Sequence, residues 1–332
     1  MSRIPRLDFR HRVVDKHSGP NPMPTPPLVA IIVLDFNGKE DTLECVRSIV
    51  RIRYSRFRLY AVNNGSQESI LDEVKQILPQ AVVIENRENL GFTGGSNIGC
   101  RRALEDGADF VLLLNNDTVV DPEFLSPLIR MMECPEVGMV TSKIYFYGED
   151  RVFWAYGARV GRWTGRSTHL GVYCRDVGQF DHLRDVERIT GCAMFVRREV
   201  FERVGFLDDR FFAYSEDLDW CLRARRLGFR LQVAPDSVIW HKGHRSSGRA
   251  GRPFITYLLA RNHLLMLRKN SDYFACGGGP ALWYAGLAGI KEMARFLLRW
   301  VRSREANEWE CFLAVARGWR DFACGRWGAP RH

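Results

Sequence analysis

A chain of 332 residues, 46% hydrophobic and 26% charged, has a globular composition and room for one large catalytic domain with an extension. Its formal charge of +9 would suit nucleic acid or an anionic membrane, but the excess sits at the ends: five Lys/Arg against two Asp/Glu in residues 1–27, 14 against six in residues 249–332, and 29 against 31 between them. A near-neutral middle argues against a nucleic-acid-binding core, and nine cysteines without a CxxC spacing or a signal peptide point to reduced thiols in a cytoplasmic protein.

Residues 1–27 combine basic residues with Pro20, Pro22, Pro24, Pro26 and Pro27, which reads as a flexible leader. The run from Leu28 to Leu34 is continuously apolar, as in a strand covered on both faces of a parallel sheet. A turn at Asp35-Phe36-Asn37-Gly38 leads into a helical pattern through Leu43, Val46, Ile49 and Val50. A strand over 58–62 runs into Asn63-Asn64-Gly65-Ser66, and a helix with Ile70, Leu71, Val74 and Ile77 follows. A third strand is predicted over 81–84, a glycine-rich turn opens a helix near 94–104, and an apolar strand covers 110–114. This alternation predicts an α/β fold with a mostly parallel sheet. From Val137 to about Ile189 short strands and aromatic loops take over. Helices are predicted over 198–204 and from Ser215 to Leu227, with long Arg-rich helices beyond His241.

Ligands of open α/β sheets gather at the carboxyl ends of the strands. Asp35, Asn63 and Asn64, and Asn115-Asn116-Asp117 all follow predicted strands directly. Asp35 suits a hydrogen bond from a pyrimidine imide and Asn63 one from a ribose hydroxyl, although Asp and Asn also form turns after strands routinely. The run from Asn89 to Gly99, with Gly91, Gly94 and Asn97, resembles a phosphate-cradling loop entering a helix, but lacks the G-x-G-x-x-G spacing of a dinucleotide site. Asp117 closes a buried strand in an oxygen-rich cluster suited to Mg²⁺ or Mn²⁺, or else forms a plain turn before Asp121-Pro122. In Ser215-Glu216-Asp217-Leu218-Asp219, Ser215 reads as a helix cap with acids in the first turn. Phe211, Phe212 and Tyr214 would crowd the same carboxylates and raise a pKa, as a general base requires. His241 reads either as a lone metal ligand or as a core histidine.

The segments IIVLDFNG, VNNGS, ENLGFTGGSNIG, LLLNNDT, ITGCAMFVRREVFERVGFLDDRFFAYSEDLDWCLRARRLGF, APDSVIWH and ARN stand in this order between about Val29 and Asn270. Together they resemble glycosyltransferase family 2, and within it the bacterial rhamnosyltransferase-like branch. The resemblance implies a GT-A domain over 28–248, a nucleotide-diphosphate-sugar donor and a divalent metal, with a basic helical extension over 249–332. It places Asp117 at the last acid of the family's Asp-x-Asp metal motif, Asp217 at the general base beside Glu216, and His241 where a residue completes the metal site. It sets Asp35, Asn37, Asn63, Asn64, Gly91, Gly94, Asn97 and Asn116 around the donor. Asn63 and Asn115 replace acids usual in the family, which leaves Asp117 as the principal charged ligand.

The expected reaction is a single inverting displacement onto a saccharide or lipid-linked hydroxyl, with dTDP-rhamnose the favoured donor and UDP-sugars next, in cell-surface polysaccharide or glycolipid assembly. A nucleotidyltransferase is the nearest rival, but Asp35-Phe36-Asn37-Gly38 is not its glycine- and basic-rich loop. Trp283, Leu287, Ile290, Ala294, Leu297 and Val301 fall on one helical face with Lys291, Arg295, Arg299 and Arg302 beside them. Those charges rule against a membrane span; the pattern fits either peripheral contact with an anionic bilayer or a helix packed on the catalytic domain.

Overall fold

The computed structural model describes residues 25–243 and 251–330, so most of the proline-rich leader and residues 244–250 lie outside the described residues. The first half alternates as β1 (Val29–Asp35), α1 (Lys39–Ile49), β2 (Phe57–Asn64), α2 (Leu71–Ile77), β3 (Val82–Asn86), α3 (Gly91–Glu105) and β4 (Phe110–Asn115). Next come β5 (Thr118–Val120), α4 (Leu125–Met131), β6 (Val137–Phe146), β7 (Phe153–Ala155), β8 (Ala158–Val160), β9 (Ser167–His169) and β10 (Asp185–Val186). The second half continues with β11 (Ala193–Arg197), α5 (Arg198–Val204), α6 (Glu216–Arg226) and β12 (Arg230–His241). Three helices follow: α7 (Arg252–Lys269), α8 (Gly279–Ser303) and α9 (Ala306–Ala323).

One ten-stranded sheet runs β3-β2-β1-β4-β11-β6-β12-β10, with β5 added to β12 and β7 to β6. β1, β2, β3 and β4 are mutually parallel where they pair, and β6 and β12 are also parallel, while β11 runs antiparallel between β4 and β6. The continuous apolar strands follow from cover on both faces, since successive side chains of a strand point to opposite sides. Val29, Ile31 and Val33 of β1 join Cys45, Val46 and Ile49 of α1 and Leu125 and Leu128 of α4 in one core layer. Ala30 and Ile32 join Cys100 and Ala103 of α3, Val200 and Phe201 of α5, and Trp220 of α6 in the other.

Two glycines let α3 lie close on β1: a Cβ at Gly95 would meet Leu34 at 2.5 Å, and one at Gly99 would meet Ile32 at 2.6 Å. The strand order reverses between β1 and β4, and the ends of those two strands carry Asp35 and Asn115. The extension is joined to the sheet-bearing part: Leu265 and Met266 of α7 and Ala281 and Ala285 of α8 share a core with Phe211, Leu218 and Leu222.

Candidate active site

β12 is a long strand whose last residues pair antiparallel with β5, in the register Ile239↔Val120, Trp240↔Val119 and His241↔Thr118. This register sets His241 beside Asp117, with Nε2 and Oδ1 3.0 Å apart and both side chains buried. The ring N–H is not aligned with the carboxylate. Both oxygens of Asp117 and Nδ1 of His241 are buried without a hydrogen-bond partner. The Lys242 N–H donates to the Asp117 carbonyl at 2.9 Å, and the Lys242 ammonium donates to Asp41 and Glu44, so the strand end is pinned on both sides. Trp154 packs edge-on against the imidazole at 4.3 Å between ring centroids. Burial alone would lower the His241 pKa, but Cys192 and the Asp117 carboxylate outweigh it and push it up to about 10.

A buried carboxylate without hydrogen bonds is costly unless a cation meets it; here protonated His241 supplies that charge, and a divalent ion would displace its proton. Asp117 and His241, with Asn115 on the same cleft wall, therefore fit a divalent ion. Among the described residues no three His, Cys, Asp or Glu side chains converge as a metal cage. Such an ion would draw its remaining oxygens from a bound diphosphate, as Mg²⁺ and Mn²⁺ do.

Opposite this pair the chain makes a strained turn into α6. Phe212, Tyr214 and Ser215 have φ of 65°, 69° and 71°, in the left-handed region that costs residues other than glycine on the order of 1 kcal/mol or more each. Ser215 makes no capping hydrogen bond, contrary to the expected cap. Buried side chains of α7 hold the turn instead. Asn262 Nδ2 donates to the carbonyls of Phe211 (2.7 Å), Ala213 (2.7 Å) and Tyr214 (3.0 Å), and Arg261 donates to that of Phe211 at 3.2 Å. The turn delivers Glu216 and Asp217 into the cleft. Arg188 grips Asp217, with Nη2 2.7 Å from Oδ2 and 3.0 Å from Oδ1, and the Gly191 and Leu218 N–H groups donate to the same carboxylate. Glu216 Oε2 is buried and unpartnered. Burial, and then the negative Asp217 beside it, raise the Glu216 pKa to about 8.

Of the residues singled out in the sequence, Asn64, Gly91, Asn115, Asn116, Asp117, Glu216, Asp217 and His241 line one cleft of about 1590 Å³. Asp35, Asn37, Asn63, Gly94 and Asn97 do not line it, and most have structural partners. Asp35 is fully buried and accepts from the Gly38 N–H, the Thr42 and Ser66 hydroxyls and Asn116. Asn63 accepts the Ser66 N–H in a local turn, and Asn37 accepts the Gln67 N–H from the loop after β2. Asn97 ties α3 to the Leu207 backbone and to Asp209. Asn64 lines the cleft while bracing the loop at Asn86, Asn89, Leu90 and Gly91. In the glycine-rich run the N–H groups of Leu90, Gly91 and Thr93 donate to Asn64, Asn89 and the Phe212 carbonyl, while Asn89, Gly91 and Phe92 line the cleft. Nothing local marks Arg188, and the ARN motif flags Arg261 and Asn262 without a role, because the partners of all three lie far off in the chain.

Solved structures show the same architecture. A Pyrobaculum calidifontis mannosyltransferase in complex with GDP-Man and Mn²⁺ superposes with a TM-score of 0.56 over 91% of this chain and 89% of its own, at 15% identity. GalNAc-T7 with UDP, GalNAc and Mn²⁺ gives 0.54 over 65% of this chain and 44% of its own, at 16% identity. The fold is GT-A. Residues 26–252 match the family model described as glycosyltransferase like family 2, and the chain belongs to that family.

The O-antigen biosynthesis protein RfbC of Myxococcus xanthus is 30% identical over 234 residues, which cover 67% of this chain but 18% of that protein. An uncharacterised protein of Sinorhizobium fredii, 26% identical over 70% of this chain, is likewise matched over only 26% of its length. The dTDP-rhamnosyl transferase RfbF of Shigella flexneri is 25% identical over 72% of this chain and 79% of its own.

Proposed function

We propose that this chain transfers a sugar from a nucleotide-diphosphate donor to an acceptor hydroxyl, by a single displacement that inverts the anomeric carbon. The observation that carries the reading is the pairing of β12 with β5: it puts Asp117 and His241 together, with both carboxylate oxygens unpartnered, in the cleft that also receives Glu216 and Asp217. Family membership and the relatives' names support it, and dTDP-rhamnose leads among donors because RfbF carries that name. Mg²⁺ or Mn²⁺ would be held by Asp117 and His241, with Asn115 at its side, and when bound would offset charge on the departing diphosphate. The acceptor is a saccharide or lipid-linked hydroxyl in cell-envelope glycan assembly.

The chain's own part is to orient and to accept a proton. The turn at 212–215 and its Asn262 clamp fix both carboxylates relative to the Asp117 side of the cleft. Asp217 takes the acceptor proton as the oxygen attacks, with Arg188 stabilising the carboxylate before transfer and Glu216, protonated near neutral pH, adding no second negative charge. One observation favours the opposite division of labour: Asp217 already accepts five hydrogen bonds, three from Arg188 and one each from the Gly191 and Leu218 N–H groups, whereas Glu216 Oε2 accepts none. Product configuration by proton NMR tests the displacement. Inversion is expected, and retention would require a second nucleophile and overturn the reading.

A further inference from the structure

The amphipathic pattern of α8 resolves in an informative way: the helix packs on small residues and Phe296 and leaves most of its large apolar ones outside. Ala281, Ala285 and Phe296 are buried, and Gly289 lies so close to Trp319 of α9 that a Cβ there would meet the indole at 2.2 Å. Trp283, Ile290 and Leu298 are 69%, 56% and 58% exposed, and Leu287, Leu297 and Val301 are exposed on the same arc. A helix evolved only to pack would turn that stripe inward.

Cations border the stripe on one side. Lys291, Arg299 and Arg302 have no carboxylate within ion-pair distance among the described residues, while Arg295 pairs with Glu292 three residues before it. Part of the cationic edge reaches the cleft: Tyr284, Leu287, Lys291 and Arg295 are in its wall with Glu292, together with Glu216, Asp217 and His241. The apolar stripe thus continues outward from the cleft, with a positive border between them. No described helix is long and apolar enough to cross a membrane.

We propose that the exposed face of α8 docks on an anionic bilayer, with Trp283, Ile290 and Leu298 in the headgroup–acyl boundary and Arg299 and Arg302 against lipid phosphates. Charge complementarity selects this occupant over a neutral apolar partner: the stripe has a cationic border, and residues 249–332 carry 14 Lys/Arg against six Asp/Glu. Docking sets the mouth of the cleft at the membrane surface, so the acceptor is a lipid whose sugar hydroxyl reaches Glu216 and Asp217 past Lys291 and Arg295. The statement about the acceptor rests on the transferase reading above; the docking does not.

The test is flotation of the full chain with vesicles of phosphatidylglycerol in phosphatidylcholine, and of phosphatidylcholine alone, at low and high salt. The chain should float with the anionic vesicles at low salt, and high salt should release most of it. Removing both cations in Arg299→Ala/Arg302→Ala should weaken binding by about tenfold or more. Ile290→Glu/Leu298→Glu should abolish flotation, and because both positions are exposed and outside the cleft wall it should leave slow hydrolysis of the nucleotide sugar in solution unchanged. Flotation indifferent to lipid charge and salt, or none, overturns the proposal. So does a wild-type dimer in sedimentation that Ile290→Glu/Leu298→Glu dissociates, since the stripe would then be a contact between copies. A chain that floats but turns over no donor keeps the docking and fails the transferase reading, which separates the two.

Discussion

Replacing Asp217 by Asn keeps its size but removes the charge that Arg188 faces. We expect transfer to fall by about 10²–10⁴, the usual scale for a lost general base, with donor affinity by calorimetry nearly unchanged. Glu216→Gln should be milder; if Glu216→Gln is the more damaging of the two, the proton goes to Glu216. Glu216 also makes a pH signature in stability. Its folded pKa, about 8 against an ordinary 4.5, is raised, so the protonated form favours the native state. That contribution is fully present below the ordinary value and is lost as pH rises through about 8. The melting temperature of Glu216→Gln relative to the unaltered chain should therefore climb between pH 5 and pH 9. A pH-independent difference would show that Glu216 is ionised throughout. At this scale the sequence was half legible. Asp117, Glu216, Asp217 and His241 announce themselves by motif, and the fold brings them into one cleft. Asp35 and Asn63 look the same on paper as ligand-binding residues, because a short polar side chain at a strand end serves a backbone N–H as readily as a ribose.

At the scale of elements, the carboxylates depend on a turn that its own residues disfavour. Asn262→Leu would strip the carbonyls of Phe211, Ala213 and Tyr214 of their shared donor. We expect a loss of about 1–3 kcal/mol in urea denaturation and a larger proportional drop in transfer than in donor binding. Wild-type turnover in this variant would mean that the turn holds itself. Glycines offer a cleaner comparison of backbone and space. Gly91 has φ of +73° and a Cβ there would lie 2.4 Å from the Phe212 carbonyl oxygen, whereas Gly107, at +86°, has nothing within 4 Å. Gly107→Ala should cost only the left-handed penalty of about 1–2 kcal/mol, and Gly91→Ala clearly more, because it also pushes on the turn before Glu216. Equal melting shifts would contradict the close approach. Apolar runs made the alternating strands and helices readable, but neither the antiparallel insertion of β11 nor the β5–β12 pairing leaves a local trace. Both are set by partners distant in sequence, and the second is what builds the Asp117–His241 pair.

For the whole molecule, the charge distribution read from the sequence separated a near-neutral core from a basic extension, and the helices of that extension pack differently. Through Arg261 and Asn262, α7 holds the turn that precedes Glu216 and is not an appendage. α8 packs on the same body but turns its stripe of large apolar side chains outward. Sequence periodicity alone left a packed helix and a bilayer-facing one as equals, because both need one apolar face; which face turns inward is decided by small residues such as Gly289 against Trp319. The central claim joins metal, donor and cleft. It is tested most directly by incubating the full chain with a panel of nucleotide-diphosphate sugars and Mn²⁺ or Mg²⁺ and measuring released nucleoside diphosphate, with and without chelator. We expect slow hydrolysis of one donor that stops in chelator, returns with added metal and is lost in Asp117→Ala. Turnover that persists in a metal-stripped sample with chelator, or formation of nucleotide sugar in place of its consumption, would contradict the account.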